Sequence, residues 1–158
     1  MATNRRALVT GGSRRIGAAI CRTLHDAGFD IALHYSSSAD AANELATALN
    51  RQRPGSCQHY RADLADPASA TALARQVCAD GNLSLLVNNA SRYLRSPLDA
   101  ASLEPAWSAL LDTNLQAPLL LCQALRETLA ASAGSIVNLL DAHSAHPQRD
   151  YAVYDMTR

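Results

Sequence analysis

Ala7-Leu8-Val9-Thr10-Gly11-Gly12-Ser13-Arg14-Arg15-Ile16-Gly17 decides the reading of this chain. A short apolar run with a β-branched residue suits a buried strand. It runs straight into glycines, and amphipathic spacing resumes at Ile16, with Ile16, Ile20, Leu24 and Ala27 on one predicted helix face. Glycines let the backbone turn tightly and come close to a ligand. The helix that follows offers free N–H groups and a partial positive charge, the setting in which pyrophosphate binds. The same glycines also serve turns that bind nothing. The strand–turn–helix context favours a nucleotide site.

Working outward, the alternation continues. Strands are expected at Ile31–Leu33, Cys57–Arg61, Leu83–Val87 and Ser135–Leu140. Helices are expected at Ala39–Asn50, from Pro67 to about Ala79, and from Ser102 to Ala131. Pro67 suits a first helical position, and Pro118 predicts a kink inside the long helix. Five strands and five helices form one doubly wound α/β domain over residues 1–158, with no repeat or linker.

Composition narrows the function classes. The 158 residues carry 14 arginines and no lysine against 14 acidic residues, for a net charge of zero. This gives no electrostatic footprint for nucleic acid or an anionic membrane. No apolar run approaches the roughly 20 residues of a membrane span, and the apolar stretch near Met1 is too short for a signal peptide. Cys21, Cys57, Cys78 and Cys122 are widely spaced. They read as reduced thiols of a cytoplasmic protein, and their spacing suits no zinc ligand set, so no metal is expected.

Further residues extend the nucleotide reading. His34-Tyr35-Ser36-Ser37-Ser38 ends the second strand. An acid at this point selects NAD through the ribose 2′-hydroxyl. Hydroxyls with Arg14 nearby suit a 2′-phosphate instead, hence NADPH. Ser38 also suits a helix N-cap. Asp63-Leu64 closes the third strand, Asn88-Asn89-Ala90-Ser91 follows the fourth, and Asn114 lies inside the long helix despite its poor propensity there. Asp141 follows the fifth strand. Tyr154 comes thirteen residues later, and Arg158 one helical turn after that. A tyrosine is a poor acid–base at neutral pH, and a cation at i+4 favours its phenolate.

Taken together, these motifs resemble the short-chain dehydrogenase/reductase family, in its pteridine reductase branch. Thr10-Gly11-x-x-x-Arg15-x-Gly17 is similar to the family fingerprint T-G-x-x-x-G-x-G, with arginine at the middle glycine as in that branch. Asp141 stands where most members have serine, again as in the branch, and Arg158 replaces the family lysine. The resemblance implies a Rossmann-type parallel sheet truncated after the fifth strand, because it covers only the front part of a family member. It implies NADPH bound by Gly11, Ser13, Arg14, Arg15, Ile16, Gly17, His34, Tyr35, Ser36, Ser37, Ser38, Asp63, Leu64, Asn89, Ala90 and Ser91. It implies a pterin substrate contacted by Arg15, Ser91, Tyr93, Asp141 and Tyr154, with Tyr93 stacking on it. Asp141, Tyr154, Arg158 and Asn114 are the implied catalytic set. The full-length form is expected to be a homo-oligomer.

Two other readings stay open: a reductase of other carbonyls or 3-oxoacyl thioesters, and a catalytically silent nucleotide-binding fragment or partner subunit. Truncation also predicts an uncovered apolar face at Leu115, Leu119, Leu120 and Leu121, and a frayed end carrying Tyr154 and Arg158.

Overall fold

The computed structural model describes residues 5–98 and 100–157. Five strands form one parallel sheet: β1 (Arg6–Val9), β2 (Asp30–Tyr35), β3 (Cys57–Arg61), β4 (Leu85–Asn88) and β5 (Ser135–Asn138). Their order is β3-β2-β1-β4-β5, so the chain winds first to one side of β1 and then to the other. The connecting helices are α1 (Arg15–Asp26), α2 (Ala39–Gln52), α3 (Pro67–Ala79), α4 (Ala100–Leu111) and α5 (Ala117–Ala131). A short α6 (Ala152–Met156) follows β5.

The central strands β1, β2 and β4 are mostly apolar because both sheet faces are covered there. In β1, Ala7 and Val9 point into one core layer with Ile31, Leu33, Leu45 and Leu49. Leu8 points into the other, with Leu73, Leu86, Leu121 and Leu125. Asp66 caps α3, accepting from the N–H groups of Ala68 (3.0 Å) and Ser69 (3.1 Å), with Pro67 directly after it. Ser38 occupies the N-cap position of α2, but its hydroxyl makes no capping bond.

Four expectations need correction. The inward face of α1 is Gly17, Cys21 and His25, while Ile16 is 64% exposed. Ile16 lies in the first turn, where the helix overhangs a cleft rather than the sheet. The long helix is interrupted at Asp112–Gln116, a π turn in which the Ala117 N–H reaches back to the Asp112 carbonyl. Pro118 has no N–H for the carbonyl one turn earlier, at Asn114, so the disturbance falls upstream of the proline. Third, Leu115 and Leu119 are exposed as expected, but Leu121 is fully buried against the sheet and Leu120 is half-buried.

Nor is Tyr154 frayed. It is 4% exposed, packed with Val153 on α6 against Ala106 and Leu110 of α4. Ser96 anchors this region: its N–H donates to the Asp150 carbonyl (2.7 Å), and its Oγ accepts from the Val153 N–H (3.1 Å). β5 is the open edge, exposed along its length.

Candidate nucleotide and substrate cleft

A cleft of about 670 Å3 opens at the carboxyl ends of the strands, where the winding reverses between β1 and β4. That switch point is where open α/β sheets hold ligands. Its floor is tied before any ligand arrives. Thr10 Oγ1 accepts from the N–H groups of Asn89 (2.9 Å) and Ala90 (3.0 Å) and donates to the Val87 carbonyl (3.3 Å). Asn89 Nδ2 donates back to the carbonyls of Thr10 (2.8 Å) and Gly11 (3.2 Å). A Cβ at Gly17 would lie 2.1 Å from the Gly11 oxygen and 2.7 Å from Asn89 Nδ2, so only glycine fits where α1 crosses the turn.

His34 belongs to this floor. Its Nδ1 accepts from the Gly11 N–H (3.1 Å), and its Nε2 lies 3.1 Å from the Ala62 carbonyl. A carbonyl only accepts, so Nε2 carries the proton and the ring is neutral. Burial holds the imidazole below its usual pKa, despite the opposing Ala62 bond. His34 lines the cleft with both ring nitrogens already engaged.

The N-terminus of α1 is built against its own stability. Arg14 is the N-cap residue without a side-chain bond, and no acid stands in the first turn. Arg15 has φ +48, a left-handed conformation that costs a non-glycine residue. Two exposed arginines thus sit at the positive end of a helix, an arrangement that favours an anion.

Of the sixteen expected cofactor residues, Gly11, Arg14, Arg15, Ile16, Gly17, His34, Ser36, Asp63, Leu64, Asn89, Ala90 and Ser91 line the cleft. Ser13, Ser37 and Ser38 do not. Tyr35 turns away into the core beside α2, its ring edge-on to His59. Strand alternation explains this: His34 and Tyr35 point to opposite faces. Asp63 Oδ1 is engaged locally, accepting from the Ala65 N–H (3.0 Å).

At the other end of the cleft, Tyr154 Oη donates to Asp141 Oδ2 at 2.6 Å, and Asp141 Oδ1 accepts from the His143 N–H at 3.0 Å. Tyr93 meets Tyr154 edge-on, with ring centroids 4.7 Å apart, and stacks one face on Tyr151, also at 4.7 Å. Its hydroxyl donates to Gln148 Oε1 (3.0 Å). Hydrogen bonding with Tyr151, then desolvation and the surrounding negative groups, push the Tyr93 phenol up to about 12. Tyr93 is 53% exposed.

Asn114 grips the loop after β4. Its Oδ1 accepts from the Arg92 N–H (2.8 Å), and its Nδ2 donates to the Arg92 carbonyl (3.0 Å) and to Thr157 Oγ1 (3.2 Å). Arg158 lies outside the described residues.

Arg92, Thr113, Leu139 and Leu140 also line the cleft without having been singled out in the sequence. For Arg92, Thr113 and Leu140 the available signal was adjacency, since each neighbours a residue that was. Among the described residues no group of three or more His, Cys, Asp or Glu is placed to hold a metal. No helix of the described residues is long and apolar enough to cross a membrane.

The short chain dehydrogenase profile matches residues 5–157. The chain belongs to that family. Among curated relatives, it is 33% identical to pteridine reductase 1 of Leishmania tarentolae, over 96% of this chain and 66% of that protein. It is 35% identical to D-threitol dehydrogenase of Mycolicibacterium smegmatis, over 96% of this chain and 61% of the relative. It is also 31% identical to the 3-oxoacyl-[acyl-carrier-protein] reductase FabG of Staphylococcus aureus, over 100% of this chain and 64% of FabG. The chain therefore spans about three fifths to two thirds of the length of these relatives.

Proposed function

We propose that this short-chain dehydrogenase is the dinucleotide-binding and proton-handling part of an NADPH-dependent oxidoreductase that reduces a pterin. The observation that carries this reading is the Asp141–Tyr154 hydrogen bond of 2.6 Å, in the same cleft as Arg15 and Tyr93. A carboxyl and a phenol in contact form a pair able to pass a proton to a ring nitrogen. A flat heterocycle suits the half-exposed ring of Tyr93. The resemblance to pteridine reductase 1 supports the same substrate class.

The residues present fit the cofactor. The uncapped α1 N-terminus and the Gly17 crossing, too close for a Cβ, form a cradle for pyrophosphate. Arg14 and Ser36 both line the cleft and suit a 2′-phosphate. The chemistry available from bound NADPH is hydride donation. Tyr154 holds a proton on Oη, hydrogen-bonded to Asp141 Oδ2; the proton that the reduced ring nitrogen needs would leave this pair, directly from Oη or by way of the Asp141 carboxyl, and be replaced from solvent. Asn114 holds the Arg92 backbone and so fixes the wall that carries Ser91 and Tyr93. Arg158, four residues after Tyr154 in the sequence, is the cation of this reading. The four free thiols suit a reducing compartment such as the cytoplasm, and the longer form assembles as a homo-oligomer.

Reduction of a carbonyl or 3-oxoacyl thioester is the second reading, favoured by the FabG similarity over the whole chain. Asp141 separates the two. The test uses this chain and a version extended by a family-like C-terminal part. Calorimetry is expected to show NADPH binding better than NADH by about 1–3 kcal/mol. Dihydropterin is expected to be reduced at the expense of NADPH, and Tyr93→Ala to weaken pterin binding while NADPH affinity holds. Equal affinity for the two nucleotides refutes the cofactor reading. Reduction of 3-oxoacyl thioesters but not pterins refutes the substrate reading.

A further inference from the structure

Thr113 is 7% exposed, lines the cleft, and has no hydrogen-bond partner for its Oγ1. A buried hydroxyl without a partner is costly, and such atoms are few in folded proteins. Elsewhere in this chain helical hydroxyls satisfy themselves: Thr71 Oγ1 donates to the Pro67 carbonyl four residues back at 2.9 Å. Ser132 Oγ does the same to the Thr128 carbonyl at 3.1 Å. Thr113 sits in the π turn, where the widened backbone alters the usual i−4 geometry. Its neighbour Asn114 has both amide atoms engaged and offers it nothing. Three other buried side-chain atoms of the described residues lack partners, on Arg53, Asn88 and Asp155, and none of those residues lines the cleft.

We infer that Thr113 is a ligand-binding residue, whose hydroxyl completes its hydrogen bonding on a ribose hydroxyl of the bound dinucleotide. This rests on the cofactor reading above. A hydroxyl both donates and accepts, and a ribose hydroxyl matches it in both roles. The Asn114 clamp on Arg92 holds the π turn beside the loop after β4, and both Thr113 and Arg92 line the cleft.

Thr113→Val keeps the shape and removes the hydroxyl, and Thr113→Ser keeps the hydroxyl. Without ligand, the valine variant is expected to melt at the same temperature or up to about 4 °C higher, because an unpaired polar group has gone. Its Kd for NADPH by calorimetry is expected to rise about 5- to 10-fold, with the serine variant close to the parent. Unchanged NADPH affinity in Thr113→Val overturns the inference, and so does a melting temperature that falls in the unliganded chain. A pterin KM that moves while the NADPH Kd does not overturns it too, by placing Thr113 against the substrate. Failure of the unsubstituted chain to bind NADPH is a different result: it overturns the cofactor reading and this inference with it.

Discussion

Arg15→Gly separates fold from function at one residue, because the two effects have opposite signs. Arg15 holds φ +48, and a left-handed conformation costs an L-residue about 1–2 kcal/mol. Its charge at the first turn of α1 adds about 0.3–1 kcal/mol of unfavourable interaction with the helix dipole. Glycine removes both penalties and loses about 0.5–1 kcal/mol to its extra freedom in the unfolded chain. The net expectation is a gain of roughly 1 kcal/mol, seen as a Tm higher by about 2–4 °C. Ligand binding moves the other way. A charge-assisted hydrogen bond is worth about 1.5–3 kcal/mol, and Arg15 is solvent-exposed, so screening trims this to roughly 1–2 kcal/mol. NADPH affinity is then expected to fall about 5- to 30-fold. Scanning calorimetry on the free chain and titration calorimetry with NADPH measure the two halves. A lower Tm shows that Arg15 supports the fold, and an unchanged Kd shows that its guanidinium does not serve the phosphates. Either result refutes the account of this helix start.

Other perturbations follow from the same geometry. Gly17→Ala places a Cβ 2.1 Å from the Gly11 oxygen, and the resulting overpacking is expected to cost about 2–4 kcal/mol and most NADPH affinity, by urea unfolding and titration. The folded-state pKa of His34 is depressed by burial, so the unfolded chain binds the extra proton first. Stability is therefore expected to be intact above about pH 6.5 and to fall as acid approaches the lower folded value. His34→Gln is expected to remove part of that slope in urea midpoints taken from pH 7.5 to 5, and an unchanged slope would clear His34 of the effect. Tyr154→Phe deletes the 2.6 Å bond to Asp141; in the extended chain it is expected to lower single-turnover reduction about 100- to 10,000-fold with NADPH affinity unchanged, and normal turnover would remove Tyr154 from the chemistry.

β1, β2 and β4 were legible because they are buried on both faces, so Ala7-Leu8-Val9 needs no alternation to be recognised. Pro67 announced its helix through a local rule that tertiary structure left alone. Ile16 was misread because periodicity reports an apolar stripe without saying whether sheet or cleft lies beneath it. A π turn leaves little trace in sequence, since its residues have ordinary helical character. Grouping Leu121 with Leu115 and Leu119 read the leucine run as a block: Leu119 and Leu121 are two residues apart on α5 and face nearly opposite ways, so Leu121 turns into the core. The π turn hid Thr113, whose unpaired hydroxyl is a property of backbone geometry. Among the residues expected at the cofactor, Tyr35 shows the limit of reading a run as a block, because consecutive strand residues face opposite ways.

The sheet order gives the two ends of the cleft different roots. The glycine turn grows from β1, which is paired on both sides and wholly buried. Asp141 hangs three residues beyond β5, which is paired on one side and open to solvent. Amide hydrogen exchange should therefore be slowest in β1 and fastest in β5, with openings of the edge strand costing far less than global unfolding. Such a local opening is expected to release Asp141 from Tyr154 while the glycine turn keeps its shape. The glycine-turn end of the cleft is built as a fixed mount, and the Asp141–Tyr154 end as a part that can be reset.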